Sequence, residues 1–415
     1  MIRKAKLKSK KTRKSRLSLR QAAIRGALVL SMANMIIVPP ASAACPGTVS
    51  ASSTTDCNLT GTDLLTVTST GSIDLSGGST TAVNVDAAAT GVTIDNSGSI
   101  IGDAGYAGIT VDALAAGTTI NNQVGGLISG PDSAAINYGG SLDSSSSLRN
   151  SGTITGGGTS TSSATGVYIN GDLSGSLTNY SSGTISASAT YSYSVDVTGV
   201  YVDGEIIGTL DNRGTISARA NATTSYSATA YGVYSGGNLS GELINSGTIS
   251  ATAIDTGTTY SAYAYAYGVS VGGDLTGSLT NTSTGTISAR AEAYETYTSY
   301  ATASAYGVQM NNLAATGILT NNGTISATAI AEVRSTYDST GYAYAYGIDM
   351  SDLDGSLTNT GTISASADAL HNGTYTAYAS AYGIDMGTLN DNLTNTNTGT
   401  ISATSHSLNT GTYDA

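Results

Sequence analysis

Leu279-Thr280-Asn281-Thr282-Ser283-Thr284-Gly285-Thr286-Ile287-Ser288 returns as Leu357-Thr358-Asn359-Thr360-Gly361-Thr362-Ile363-Ser364, and the reading of that phrase decides the fold. Its isoleucine recurs at Ile154, Ile185, Ile216, Ile249, Ile287, Ile325, Ile363 and Ile401, at spacings of 31, 31, 33, 38, 38, 38 and 38 residues. Weaker copies continue upstream through Ile128, Ile100 and Ile73. A second column, an aliphatic residue followed two places later by Asn, supplies Asn96, Asn122, Asn150, Asn179, Asn212, Asn245, Asn281, Asn321, Asn359 and Asn395. Two columns repeating in the same order mark a repeat architecture.

Each unit reads as three short strands. One alternates as Leu173-x-Gly175-x-Leu177-x-Asn179, Ile206-x-Gly208-x-Leu210-x-Asn212 or Leu353-x-Gly355-x-Leu357-x-Asn359. That period of two puts all four residues on one face. The next strand is Gly-Thr-Ile-Ser, and the third is an aliphatic pair behind a glycine, as in Gly166-Val167-Tyr168-Ile169, Gly268-Val269-Ser270-Val271 and Gly347-Ile348-Asp349-Met350. No segment after residue 43 holds a helical period. The expectation is an all-β chain: a right-handed parallel β-helix of about ten coils, three strands per coil, each coil pairing with the next about 4.8 Å along the axis. A sandwich of antiparallel hairpins accounts for the turns but not for the identical columns.

Composition agrees. The 415 residues include 52 Gly and 26 Tyr but no Phe or Trp, and only 11% are charged. Small residues of this kind fold most easily by stacking near-identical strands. Charge is divided sharply along the chain. Eleven of the 16 basic residues fall between Arg3 and Arg25, and the apolar run of residues 26–38 is followed by Pro39-Pro40-Ala41-Ser42-Ala43. A basic start, a run too short for a bilayer and a small-residue boundary read as a secretory signal peptide over residues 1–43; a basic nucleic-acid-binding arm is the competing reading. The remainder carries 5 Arg, no Lys and 28 acids, a formal charge of −23. That balance disfavours nucleic acid and anionic membranes as partners.

Export into an oxidising compartment points to a disulfide between Cys45 and Cys57, within an N-terminal cap over 44–72. Lipid attachment at Cys45 is the other reading, against which Ser42-Ala43-Ala44-Cys45 lacks a bulky aliphatic residue. Regular coils are expected over 73–198, and coils with long Tyr/Ala-rich extensions over 199–415.

A signal peptide followed by iterated Asn-Ser-Gly-Thr-Ile-Ser and Leu-Thr-Asn-Thr-Gly-Thr-Ile-Ser resembles the passenger region of bacterial autotransporters and related adhesin-like surface proteins, over nearly all of residues 58–415. The resemblance implies a β-helix exported to the cell surface, with an outer-membrane barrel downstream or acting in trans. No run of amphipathic barrel strands follows the repeats within this sequence, a departure from the full family pattern. Passengers on this scaffold adhere, aggregate cells or carry grafted enzymes, so the scaffold alone leaves the activity open.

Chemistry-bearing residues are few. The Asn column, Asn179, Asn212, Asn245, Asn281, Asn321, Asn359 and Asn395 included, is expected to be structural, its amides bonding up and down the rod. His371 and His406 are expected in loops on different coils, and without clustered His, Cys and carboxylates no metal site of catalytic type is indicated. Asp172, Glu205 and Asp274 recur at one corner. Asp349, Asp352, Asp354 and Asp385, with Asp391, crowd two adjacent coils and are candidates for Ca²⁺, which takes several hard oxygen ligands. A solvated acidic face and a glycosidase pair are the other readings of that cluster. No other cofactor is indicated.

Parity assigns the extensions. Ile287 shares its face with Ala289, Ala291 and Ala293, Ile325 with Ala327, Ala329 and Ala331, and Ile363 with Ala365, Ala367 and Ala369, so these alanines face inward. By the same rule Val269 shares its face with Tyr267, Tyr265 and Tyr263, and Ile348 with Tyr346, Tyr344 and Tyr342. The expectation is tyrosine packed against alanine inside a flange, on condition that Gly268 and Gly347 are not bulges, because one extra residue turns every tyrosine outward. For function, the sequence leads to a non-enzymatic surface for adhesion, autoaggregation or biofilm contact, with surface glycans, proteins or copies of itself as partners. An extracellular polysaccharide-cleaving enzyme on the same scaffold is the alternative. Ice or mineral binding would need a flat Thr-x-Thr array, and Gly-Thr-Ile-Ser offers one outward Thr beside a Ser.

Overall fold

The computed structural model describes residues 47–410 apart from 160, 225, 258–260, 297–299, 335–338 and 373–375. Residues 1–42 form a unit apart from the one beginning at Ala43 and lie outside the described residues. That second unit is a parallel β-helix. Among the described residues its strands form three sheets of twelve, and every pairing within them is parallel, from one coil to the next. Identical residues lie in register: Ile185 against Ile216, Leu177 against Leu210, Val200 against Val233.

Twelve strands in each of the first two sheets, one per coil, exceed the ten coils expected from the motifs. The additional rungs come from residues 48–67, the stretch read as a cap, where Thr48–Val49, Ser52–Ser53, Cys57–Leu59 and Leu64–Val67 already pair with the following coil. Ser53 stands there in register with Ile73, so the isoleucine column has no isoleucine to announce its first member.

Two apolar cores run side by side along the rod. The first fills the tube between the three sheets with Ile, Leu and Val, among them Leu177, Ile185 and Val200. The second is almost pure alanine, from Ala164 and Ala187 to Ala367 and Ala369, and fills a flange built by extensions of the second and third sheets. Second-sheet strands lengthen from four residues at Thr153–Gly156 to eight at Thr184–Tyr191 and ten at Thr286–Glu295. Extension therefore begins before residue 199. Short methyl side chains on both inner faces let the two walls approach closely over the whole flange.

Where flange meets tube, the third sheet carries a glycine in each coil, Gly166, Gly199, Gly232, Gly268, Gly307, Gly347 and Gly383. A Cβ on Gly268 would lie 2.7 Å from Ile287 Cγ2 and 2.5 Å from the Gly307 carbonyl oxygen. The ladder skips this glycine: Tyr267 pairs with Tyr306 and Val269 with Val308. Alternation is interrupted there, so Ala262, Ala264 and Ala266 are buried on one side of the glycine and Val269 on the other. The condition attached to the tyrosine assignment therefore fails. Tyr263, Tyr265 and Tyr267 are half-buried on the outer face, as are Tyr342, Tyr344 and Tyr346, and alanine packs on alanine inside. A second correction concerns histidine. His371 closes the strand Thr362–His371 and is buried, while His406 lies within Thr400–Asn409 on the adjacent coil and is exposed. Neither is in a loop, because the strands run on through the flange.

Candidate functional site: a tyrosine row on the outer face

Parallel in-register pairing places like residues one strand spacing apart, about 4.8 Å. On the outer face of the third sheet that turns single tyrosines into a stack. Ring centres are 4.7 Å apart between Tyr231 and Tyr267, 4.9 Å between Tyr267 and Tyr306, 4.8 Å between Tyr306 and Tyr346, and 5.2 Å between Tyr346 and Tyr382. The planes are nearly parallel, within 2° for Tyr306 and Tyr346. A second stack, Tyr168, Tyr201 and Tyr234, joins the first edge-on through Tyr231 and Tyr234 at 5.1 Å. The result is an unbroken row of rings from Tyr168 to Tyr382.

Stacking consumes the ring faces and leaves ring edges and hydroxyls outward. Burial, with neighbouring phenols and Asp349 adding to it, raises the Tyr267 and Tyr306 hydroxyls well above the usual phenol range. Tyr201 is pushed up to about 12 by burial, then by Asp203. Tyr346 also rises to about 12, by burial, then Tyr382, Asp349 and Asp385. These groups stay protonated at neutral pH, and the Tyr201 hydroxyl donates to Asp203 Oδ1 at 3.3 Å.

A polar column borders the stack. Ser270 Oγ donates to Gln309 Oε1 at 3.2 Å, Gln309 lies in register with Asp349, and Asp349 with Asp385. Asp349 is shifted upward by partial burial and by the Asp385 charge, partly offset by its hydrogen bond with Gln309. Of the four residues proposed for Ca²⁺, the structure brings together Asp349 and Asp385. Asp352 lies further along the same strand, in register with Thr388, and Asp354 accepts from Asn390 Nδ2 at 2.6 Å on the far side of Leu353. Among the described residues no group of three or more His, Cys, Asp or Glu side chains is arranged to hold a metal ion.

Other residues singled out in the sequence serve the backbone. Each Asn of the column donates its Nδ2 to the Oδ1 of the next, at 2.8 Å from Asn96 through Asn122, Asn150, Asn179, Asn212, Asn245, Asn281, Asn321 and Asn359 to Asn395. Most also reach a threonine carbonyl of the Gly-Thr-Ile-Ser strands, as Asn281 does to Thr324 at 3.1 Å. At the acidic corner, Asp172 Oδ1 accepts the Glu205 amide and Asp274 Oδ1 accepts from Asn312, both at 2.9 Å. Those carboxylates hold turns and do not converge on a cleft. Cys57 is buried in the strand Cys57–Leu59, and its expected partner Cys45 lies outside the described residues.

These features define a class: a parallel β-helix rod with an alanine-filled flange and an aromatic outer row. No family model, curated protein or solved structure matches the chain.

Proposed function

We propose that this chain is an exported β-helical passenger, resembling those of bacterial autotransporters, that acts without catalysis as a contact surface for adhesion, autoaggregation or biofilm cohesion. The observation that carries the reading is the tyrosine row from Tyr168 to Tyr382, half-exposed on a rigid sheet and rich in hydroxyl donors. Large aromatics kept on a surface, rather than in a core, are the residues that contribute most to protein contacts. On this reading residues 1–43 direct secretion, a barrel downstream or in trans anchors the rod at the outer membrane, and surface glycans, proteins or further copies of the rod are its partners.

Cells displaying the full chain provide the test. Sedimentation in standing culture and retention on coated surfaces should exceed those of cells lacking it, and the triple variant Tyr267→Ser, Tyr306→Ser, Tyr346→Ser should lose most of the difference while remaining displayed. Equal sedimentation and retention with and without the chain would overturn the reading. So would release of reducing ends from a polysaccharide, abolished by Asp349→Asn.

A further inference from the structure

The opposite wall of the flange, the outer face of the second sheet, carries a different constellation. Only five arginines follow residue 43, and two of them, Arg290 and Arg334, lie on this face. On the strand Thr286–Glu295, Arg290 donates through Nε to Glu292, and the Tyr294 hydroxyl donates to Glu292 Oε2 at 2.8 Å. On the neighbouring strand Thr324–Val333, Glu332 lies in register with Tyr294. Just beyond that strand, Arg334 forks onto Glu332, Nε to Oε1 at 2.8 Å and Nη2 to Oε2 at 3.0 Å. Its guanidinium carbon stands 5.4 Å from the centre of the Tyr294 ring. Thr256, Tyr294, Thr296, Glu332 and Arg334 line a depression of about 460 Å³, a size typical of small-ligand clefts.

The chemistry of that lining selects its ligand. A guanidinium has five N–H donors, and the fork on Glu332 uses two of them, while each Glu332 oxygen keeps a further acceptor position. Free donors and acceptors therefore sit side by side at one rim. In the lining the charge of Arg334 is cancelled by Glu332, and the chain after residue 43 is strongly acidic, so an anion gains nothing here and a cation meets Arg334. A neutral ligand whose adjacent hydroxyls both donate and accept satisfies both partners of the fork at once.

We infer that this depression is a saccharide-binding subsite, taking a neutral pyranose through vicinal hydroxyls hydrogen-bonded to Arg334 and Glu332. The inference rests on the reading of the rod as a contact surface and gives that surface a ligand class. It places sugar recognition on the wall opposite the tyrosine row.

The test is calorimetric titration of the full secreted chain with maltotetraose, cellotetraose, mannotetraose and chitotetraose, and with tetragalacturonate as the anionic comparison. At least one neutral tetrasaccharide should bind. Arg334→Ala and Arg334→Lys should each weaken binding at least tenfold with an unchanged circular dichroism spectrum, since Lys keeps the charge but loses the fork. Arg213→Ala, which removes an arginine paired with Asp211 elsewhere on the rod, should leave affinity unaltered. Absence of binding by all four neutral sugars, wild-type affinity in both Arg334 variants, or tighter binding of tetragalacturonate would overturn the subsite. Cell sedimentation is scored separately, so a failed subsite with intact aggregation removes this inference alone.

Discussion

The Cγ2 methyl of Ile287 fills the space in which Gly268 would carry a side chain, 2.7 Å from where its Cβ would stand. The same approach recurs between Gly232 and Ile249 and between Gly347 and Ile363, both at 2.6 Å. This waist between the two cores recurs from coil to coil, and the glycine that drops out of the ladder there also sets the direction of the tyrosines.

Gly268→Ala should therefore destabilise the rod by about 1–3 kcal/mol, because the nearer obstacle is the Gly307 carbonyl, a backbone atom that cannot rotate away. Stability in a solenoid is local, so limited proteolysis of the neighbouring coils is the sensitive measurement. Wild-type protease resistance would show that the waist can open without loss.

Ala329 is fully buried in the alanine seam, whereas Ser326 on the same strand is part-exposed on the outer face. Ala329→Glu should cost several kcal/mol, about 3 or more, by placing an unpaired charge between two methyl-lined walls. Ser326→Glu should change stability by less than about 1 kcal/mol. Denaturant midpoints of the two variants, compared with wild type, decide the matter.

Asn281 donates to Asn321 and to the Thr324 carbonyl and accepts from Asn245, all away from water. Asn281→Leu leaves those partners unsatisfied, at about 1–3 kcal/mol for each buried group. Asn395→Leu, at an exposed position, should be several-fold milder. Hydrogen exchange of the Gly285 and Thr324 strand amides would report the difference.

Asp255 is buried at the outer end of the alanine seam, where Oδ2 accepts the Tyr263 amide at 2.9 Å. Burial raises its carboxyl to about 7; the Tyr263 hydrogen bond opposes the shift and the Glu295 charge adds to it. The folded state thus holds a proton that the unfolded chain, with an ordinary carboxylate, releases near pH 4. Stability from this group is fully present below about pH 4, falls as the pH rises towards 7, and is flat above that. Asp255→Asn should flatten the decline between pH 5 and 7 in a thermal-denaturation series. An unchanged pH profile would remove Asp255 as its source.

The isoleucine and asparagine columns, the parallel pairing and the inward alanines were legible in the sequence, because each depends on a period that survives unbroken along a strand. The direction of the tyrosines was not, although the necessary signal was present. Ala262, Ala264 and Ala266 on the returning strand mirror Ala289, Ala291 and Ala293 on the outgoing one, and two alanine faces pack as readily as a tyrosine face and an alanine face. Parity carried through Gly268 chose wrongly, since one residue that drops out of the ladder exchanges the faces. The first coil was missed for a simpler reason: Ser53 occupies the isoleucine position. The Arg334 and Tyr294 contact joins residues 40 apart through strand register and carries no local motif.

The alanine seam makes flange length a variable that can change without disturbing the tube. Each added pair of residues on a wall contributes one inward methyl and one outward side chain, so growth in steps of two repeats the existing packing. The second-sheet strands show such steps, from eight residues at Thr248–Asp255 to ten at Thr286–Glu295. A single-residue insertion would instead turn every outward group beyond it into the seam. The flange is in this sense a dial with discrete settings, lengthened or shortened two residues at a time while the tube keeps its own packing.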